Sequence, residues 1–234
     1  MAAERVTEHV YLVDVGPMNV FLIVLPESLT LVDAGMPGSM GPIAEAARSL
    51  GRLPEEITDI VVTHCHPDHA GGVAEVREAT GAQVWMHPAD AALTRVGQAF
   101  RPWRVAPGLR NQLFARLVIR RGPTSVDPFE TDTEVSASEE IPVAGGLKAL
   151  GTPGHTEGHL VFLWPHDGGV LFVGDAANRH RGRLRLSPIY EDLELGVESL
   201  RFLGDQSFET ACFAHTAPIV TNAAKEFRER WGRA

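Results

Sequence analysis

Ile57-Thr-Asp-Ile-Val-Val-Thr-His64-Cys65-His66-Pro67-Asp68-His69-Ala70-Gly71-Gly72 joins a β-branched apolar run to four metal-binding side chains. Residues 57–63 read as a buried strand. In an extended segment residues i and i+2 project to one side, so His64 and His66 can converge on one cation while Cys65 points away. Pro67 then turns the chain, and Asp68 and His69 open a helix from the same corner. Ala70, Gly71 and Gly72 are small enough to let that helix start lie close to a sheet. Three imidazoles and a carboxylate offer borderline nitrogen and hard oxygen donors, which suit zinc, iron or manganese. A lone His-x-His is a weak signal. The full set at a strand-to-helix junction is a strong one.

Working outward, the same logic occurs twice. Residues 20–25 and 29–32 form a hairpin across Pro26-Glu27-Ser28 that ends at Asp33. A helix follows, with Pro42 near its start, Ile43, Ala46, Ala47 and Leu50 on one face, and Gly51 as its stop. Next come strand 57–63 and its histidines. Val73, Val76 and Ala79 mark another helix, and residues 83–86 another strand. In the second half, residues 159–164 and 170–173 form a hairpin ending in Gly174-Asp175. A helix with Leu193, Val197 and Leu200 on one face leads to strand 210–214 and then His215. A last helix carries Ala223, Phe227 and Trp231. Hairpin, helix, strand and terminal histidine in duplicate predict an α/β fold, a four-layer αββα sandwich of two similar halves. Its length of 234 residues suits one domain, residues 1–234.

The bulk properties exclude several classes. Net charge is −9, which disfavours binding to a nucleic-acid backbone. Two cysteines do not make a disulfide framework. No apolar run approaches the roughly eighteen residues of a membrane span, and the N-terminus lacks a basic-then-apolar leader pattern. A cytoplasmic protein acting on a small molecule, with neither nucleic acid nor membrane as partner, is expected.

The histidine pattern resembles the metallo-β-lactamase superfamily, and other pieces of that family's signature follow in order. Thr152-Pro-Gly-His155-Thr156 is similar to its second histidine motif, and Val173-Gly-Asp175 to the motif supplying a bridging carboxylate. The resemblance runs from about Val20 to His215. It implies two divalent ions, zinc by default with iron or manganese as alternatives. His64, His66 and His155 would bind the first, Asp68, His69 and His215 the second, and Asp175 both. Asp33 matches the early Asp-x-Gly, which anchors the metal loop without ligating. The family usually has glycine before the last histidine, and here it is Ala214.

The implied reaction is hydrolysis of an ester, thioester or lactone by a metal-bridging hydroxide, with Asp68 orienting it and taking its proton. Asp175 argues against β-lactamase activity, and Asn178 stands where lactonases place a tyrosine. Only 59 residues follow Asp175, too few for the helical C-terminal domain of glyoxalase II enzymes. Alternatives are a mononuclear iron oxygenase acting on persulfides and a ligand-binding protein without activity; the complete ligand set speaks against both. Cys65, Cys212 and His159 read as buried structural groups, His87 as structural or rim-lining, and His9 and His166 as surface residues.

Residues of about 88–134 form an arginine-rich helical insertion. Seven arginines and no acidic residue lie between Arg95 and Arg121, and a helix-like run spans 109–121. The insertion is expected to be a lid, with Arg101 and Arg104 drawing an anionic substrate group, or to pack against a second subunit as a homodimer contact. Asn178 and His180 are further substrate-binding candidates. Arg179, Arg181, Arg183 and Arg185 alternate, and on one extended segment would share a face.

Overall fold

The computed structural model describes residues 3–232. In chain order, β1 (Glu4–Arg5), β2 (Val10–Asp14), β3 (Asn19–Val24) and β4 (Leu29–Val32) lead into α1 (Met40–Ser49) and β5 (Ile57–Val61). Then come α2 (Pro67–Ala70), α3 (Val73–Thr80), β6 (Gln83–Met86), α4 (Pro88–Thr94), β7 (Arg104–Val105), α5 (Leu109–Leu117) and β8 (Thr133–Glu134). The second half holds β9 (Glu139–Ile141), β10 (Leu147–Gly151), β11 (Leu160–Trp164), β12 (Val170–Phe172), β13 (Ala177–His180) and β14 (Arg183–Leu186). It closes with β15 (Ile189–Tyr190), α6 (Leu193–Gly204), β16 (Thr210–Cys212) and α7 (Ala223–Trp231).

The strands build one seven-stranded sheet, β1-β2-β3-β4-β5-β6-β8, and one five-stranded sheet, β16-β12-β11-β10-β9. The expected repeat is present. β3 and β4 pair antiparallel and α1 crosses to the parallel neighbour β5; β11 and β12 pair antiparallel and α6 precedes the parallel neighbour β16. Because side chains alternate along each strand, both sheets have two apolar faces. Phe21, Ile23 and Val61 of the first sheet meet Leu147, Phe162 and Phe172 of the second between the layers. The outer face of the first sheet packs Leu22, Leu31 and Ile60 against Ile43 and Ala47 of α1 and Val73 and Val76 of α3. The outer face of the second packs Val161, Leu171 and Ala211 against Leu200 of α6 and Phe227 and Trp231 of α7. Helix, sheet, sheet and helix are thus the four layers.

Two regions differ from the sequence expectation. The arginine run 179–185 is no single extended face but the β13–β14 hairpin, with Arg181 and Gly182 at φ 50° and 72° in its turn. Both turn residues are left-handed, the two-residue turn whose twist matches paired strands. The helical run of the insertion ends at Leu117 in α5 and continues as a short 3₁₀ turn over Ile119–Arg121. Leu109, Leu113, Phe114, Leu117 and Val118 are exposed in the single chain.

Candidate metal centre

The C-terminal ends of the central strands converge on one point. Asp33 follows β4, His64 follows β5, His155 follows β10, Asp175 follows β12 and His215 follows β16. His66 keeps extended backbone (φ −65°, ψ 150°) before α2 begins at Pro67, so His64 and His66 do reach one spot. Close approach is built in by small residues: a Cβ on Gly72 would run into the Ala34 carbonyl. At Gly174, φ is 53° and a Cβ would lie 2.9 Å from both His159 Nε2 and the Thr63 side chain. The Ala214 methyl packs with the core of the first sheet and leaves His215 facing the site.

Seven side chains meet there. His64 Nε2 and His155 Nε2 lie 3.1 and 3.0 Å from His66 Nδ1. Tetrahedral ligands at about 2.0–2.1 Å from an ion would be roughly 3.3 Å apart, so these nitrogens are spaced as ligands of one cation. Asp68, His69 and His215 form a second group, with His215 Nε2 3.3 Å from Asp68 Oδ2. Asp175 stands between the groups. Its Oδ1 is 3.3 Å from His215 Nε2 and 3.7 Å from His69 Nε2, while its Oδ2 is 3.6 Å from His155 Nε2.

The remaining ring nitrogens are all but one accounted for, which fixes which lone pairs face inward. His155 Nδ1–H donates to the Ile189 carbonyl (2.9 Å) and His215 Nδ1–H to that of Pro17 (3.2 Å). His69 Nδ1–H donates to Asp33 (2.7 Å). The Thr63 hydroxyl donates to Asp33 and accepts from His64 Nδ1–H at 3.0 Å. His66 instead stacks on Phe100, ring centroids 4.4 Å apart. What is left over is telling. His69 Nε2 and Asp175 Oδ1 are buried without a hydrogen-bond partner, an arrangement that costs free energy unless a cation binds there. The residues fit a metal pair.

Electrostatics agree with that division. Burial and the neighbouring imidazoles hold His64 well below the usual histidine range, and His66 and His155 are also lowered, chiefly by burial. Burial would lower His69 too, but Asp33 and Asp68 outweigh it and raise it. For Asp175, desolvation is outweighed by His215, His69 and His155, which hold the carboxylate well below its ordinary value.

His159 is buried behind the site as expected: its Nε2 accepts from the Asp175 N–H (3.1 Å) and its Nδ1 bonds Thr152 (2.8 Å). Cys65 and Cys212 are buried free thiols, raised by desolvation. His87 caps α4, accepting from the Ala89 N–H. Half-exposed His9 bonds Asp167.

One residue the sequence did not reveal is Asp90, fully buried in α4. It accepts from the Cys65 N–H (3.1 Å), the Thr156 hydroxyl (2.7 Å), the Gly158 N–H (3.2 Å) and Arg101 Nη1 (2.8 Å). A single carboxylate therefore ties the His64–His66 loop to the His155 loop. Its only signal in sequence was an acidic residue in a first helical turn, which is common. Asp90→Ala is expected to cost about 3 kcal/mol in urea unfolding, since it strands a guanidinium and buried donors. Arg101→Ala should cost less, because Arg101 is partly exposed; equal losses would contradict this bracing role.

Arg101 is thereby committed. Besides Asp90 it faces Glu191 (3.4 Å) and Glu157 (3.5 Å), so it serves the protein's own carboxylates and is no free cation for substrate. Arg104 is exposed on β7, which pairs with β15 beside Tyr190. Asn178 and His180 lie on β13 just past Asp175. The insertion does reach the centre, through Phe100 on His66 and Asp90 on the Cys65 N–H and the Thr156 hydroxyl.

Comparison with known proteins gives the family and agrees with the fold. The family model of the metallo-β-lactamase superfamily matches residues 13–215. The chain is 32% identical over 226 residues to the probable metallo-hydrolase YflN of Bacillus subtilis, covering 90% of this chain and 83% of that protein. It is 53% identical over 142 residues to a hydroxyacylglutathione hydrolase of Albidiferax ferrireducens, covering 59% of this chain but only 40% of that protein. A Cronobacter sakazakii metallo-β-lactamase structure superposes with a TM-score of 0.70 at 21% identity, over 91% of this chain and 80% of that one, a likeness of fold.

Proposed function

This chain belongs to the metallo-β-lactamase superfamily and is a metal-dependent hydrolase, and from that premise we propose that it holds two divalent ions, zinc by default, and cleaves an ester, thioester or lactone. Partial similarity to hydroxyacylglutathione hydrolases favours the thioester, and Asn178 in place of a tyrosine disfavours the lactone. The observation that carries the two-ion reading is the orphaned pair His69 Nε2 and Asp175 Oδ1, set beside the three imidazoles of His64, His66 and His155.

His64, His66 and His155 would hold one ion, Asp68, His69 and His215 the other, with one Asp175 oxygen turned toward each group. Such a pair supplies an acidified water, with pKa lowered toward about 7, and a Lewis acid for the substrate's carbonyl oxygen. The chain's own residues do the rest. Asp33 and Thr63 fix the rings of His69 and His64. Asp68, the more exposed of the two site carboxylates, is positioned to accept a proton. Phe100 covers one face of His66 and excludes water there.

Elemental analysis of gently purified protein should return about two transition-metal ions per chain, as a two-metal hydrolase requires. His215→Ala should retain about one, since the three-imidazole group remains. At most one tightly bound ion in the unaltered protein would reject the two-ion reading and favour a mononuclear centre.

A further inference from the structure

The β13–β14 hairpin has two unlike faces. On one, Ala177 pairs with Leu186 and Arg179 with Leu184, and this face packs on the core under α6 and α7, where Arg179 meets Glu226 at 3.3 Å. On the other, the register sets Asn178 against Arg185 and His180 against Arg183. Arg110 of α5 approaches this face, its Nη2 3.3 Å from His180 Nδ1. Arg181 stands beside them in the turn.

Few carboxylates engage these cations, although Arg183 and Arg185 line a cavity together with Glu226 and Glu229 of α7. Arg52, Arg77, Arg95, Arg101 and Arg179 all pair with carboxylates. Among the described residues no ion pair engages Arg110, Arg181 or Arg185, in a chain of net charge −9. Guanidiniums brought close together outside ion pairs repel one another, and a bound oxyanion relieves that repulsion while accepting their hydrogen bonds. Partial desolvation together with Arg110, Arg181 and Arg185 holds His180 below its usual value. A neutral His180 that accepts from Arg110 at Nδ1 keeps an Nε2–H to donate.

The face is joined to the metal centre on both sides. Asn178 is the third residue after Asp175, and at about 3.3 Å per residue His180 lies within roughly 16 Å of chain from it. β15, which follows the hairpin, gives its Ile189 carbonyl to His155 and pairs with β7, from which the chain runs into α5 and Arg110. A substrate bound at the metals could extend one arm to this face.

We propose that Arg110, Arg185 and His180 form an anion-binding subsite that takes a phosphate or carboxylate at the end of the substrate remote from its scissile bond. The subsite deepens the hydrolase reading and rests on it for the identity of the anion's carrier.

The test compares three thioesters with the same butyryl group on metal-loaded enzyme: the neutral S-butyryl-N-acetylcysteamine, the carboxylate-bearing S-butyrylglutathione, and the phosphate-bearing butyryl-coenzyme A. In the Arg110→Ala/Arg185→Ala double variant, KM for an anionic thioester should rise about tenfold more than for the neutral one, and added salt should shrink the difference. The Arg110→Lys/Arg185→Lys variant, which keeps both charges, should retain part of the preference for anionic thioesters. A selective effect on the glutathione thioester identifies a carboxylate, and on the coenzyme A thioester a phosphate. Equal KM changes for all three would overturn the subsite while leaving hydrolysis intact. If none of the three is cleaved, the thioester reading fails, and calorimetry with glutathione and adenosine 3′,5′-bisphosphate decides the subsite alone. Binding that the double variant loses supports it; no binding to the unaltered protein, or equal binding to both, overturns it.

Discussion

Asp68→Asn is expected to lower kcat about a hundredfold or more while leaving the fold intact, within the range for losing a general base. The site's two carboxylates differ in exposure: the Asp68 side chain is 33% exposed and that of Asp175 is 10%. Asp175 is enclosed by His69, His155 and His215, whereas Asp68 opens toward the solvent side, where substrate must arrive. Desolvation would raise Asp68, but His69 and His215 outweigh it and keep it ionised at neutral pH. An amide of the same shape preserves packing in α2 yet cannot take up a proton, and it is a weaker ligand beside His215. The measurement pairs steady-state kinetics with metal analysis of the variant. Full turnover with full metal content would reject proton transfer by Asp68. Loss of turnover together with both ions would assign it to ligation alone.

How much of this was legible in the sequence depends on the range of the interactions. The duplicated hairpin–helix–strand order was readable because each piece carries a local period, such as Ile43, Ala46 and Ala47 facing the core from α1. The candidate ligands were readable as candidates because they sit in short motifs at strand ends, and the fold brings them together. Asp90 was not, because its partners lie at Cys65, Arg101, Thr156 and Gly158, and only the fold brings them together. The ion pairs of Arg101 were hidden for the same reason: Asp90, Glu157 and Glu191 are brought to it only by the fold. The hairpin at residues 177–186 was hidden by its turn. Arg181-Gly182 lacks the Asn-Gly or Asp-Gly signature of such turns, so alternating arginines read as one strand. With Arg101 paired to carboxylates, Arg110 beside His180 and Arg185 opposite Asn178 carry positive charge that no ion pair engages among the described residues.

Asp33→Ala should weaken metal binding about 10–100-fold, the usual effect of removing a group that orients a histidine ligand. Asp33 accepts from the Thr63 N–H (2.7 Å), the Thr63 hydroxyl (2.9 Å) and His69 Nδ1–H (2.7 Å), all within the buried interior. Its backbone is left-handed at φ 58°, a conformation aspartate tolerates better than alanine. The substitution therefore strands two or three buried donors, at about 1–3 kcal/mol each before relaxation, and frees the His69 ring to rotate. It also removes the acceptor through which the Thr63 hydroxyl is oriented toward His64, so both metal positions should loosen. Activity should be low in limiting metal and partly recover in excess metal, whereas Asp68→Asn should stay impaired in excess metal, because restored occupancy does not replace a lost proton acceptor. Asp33→Asn, which keeps one acceptor oxygen for Thr63, should fall between. If excess metal restores no activity to Asp33→Ala, then Asp33 acts on the reaction itself and not through the rings it holds.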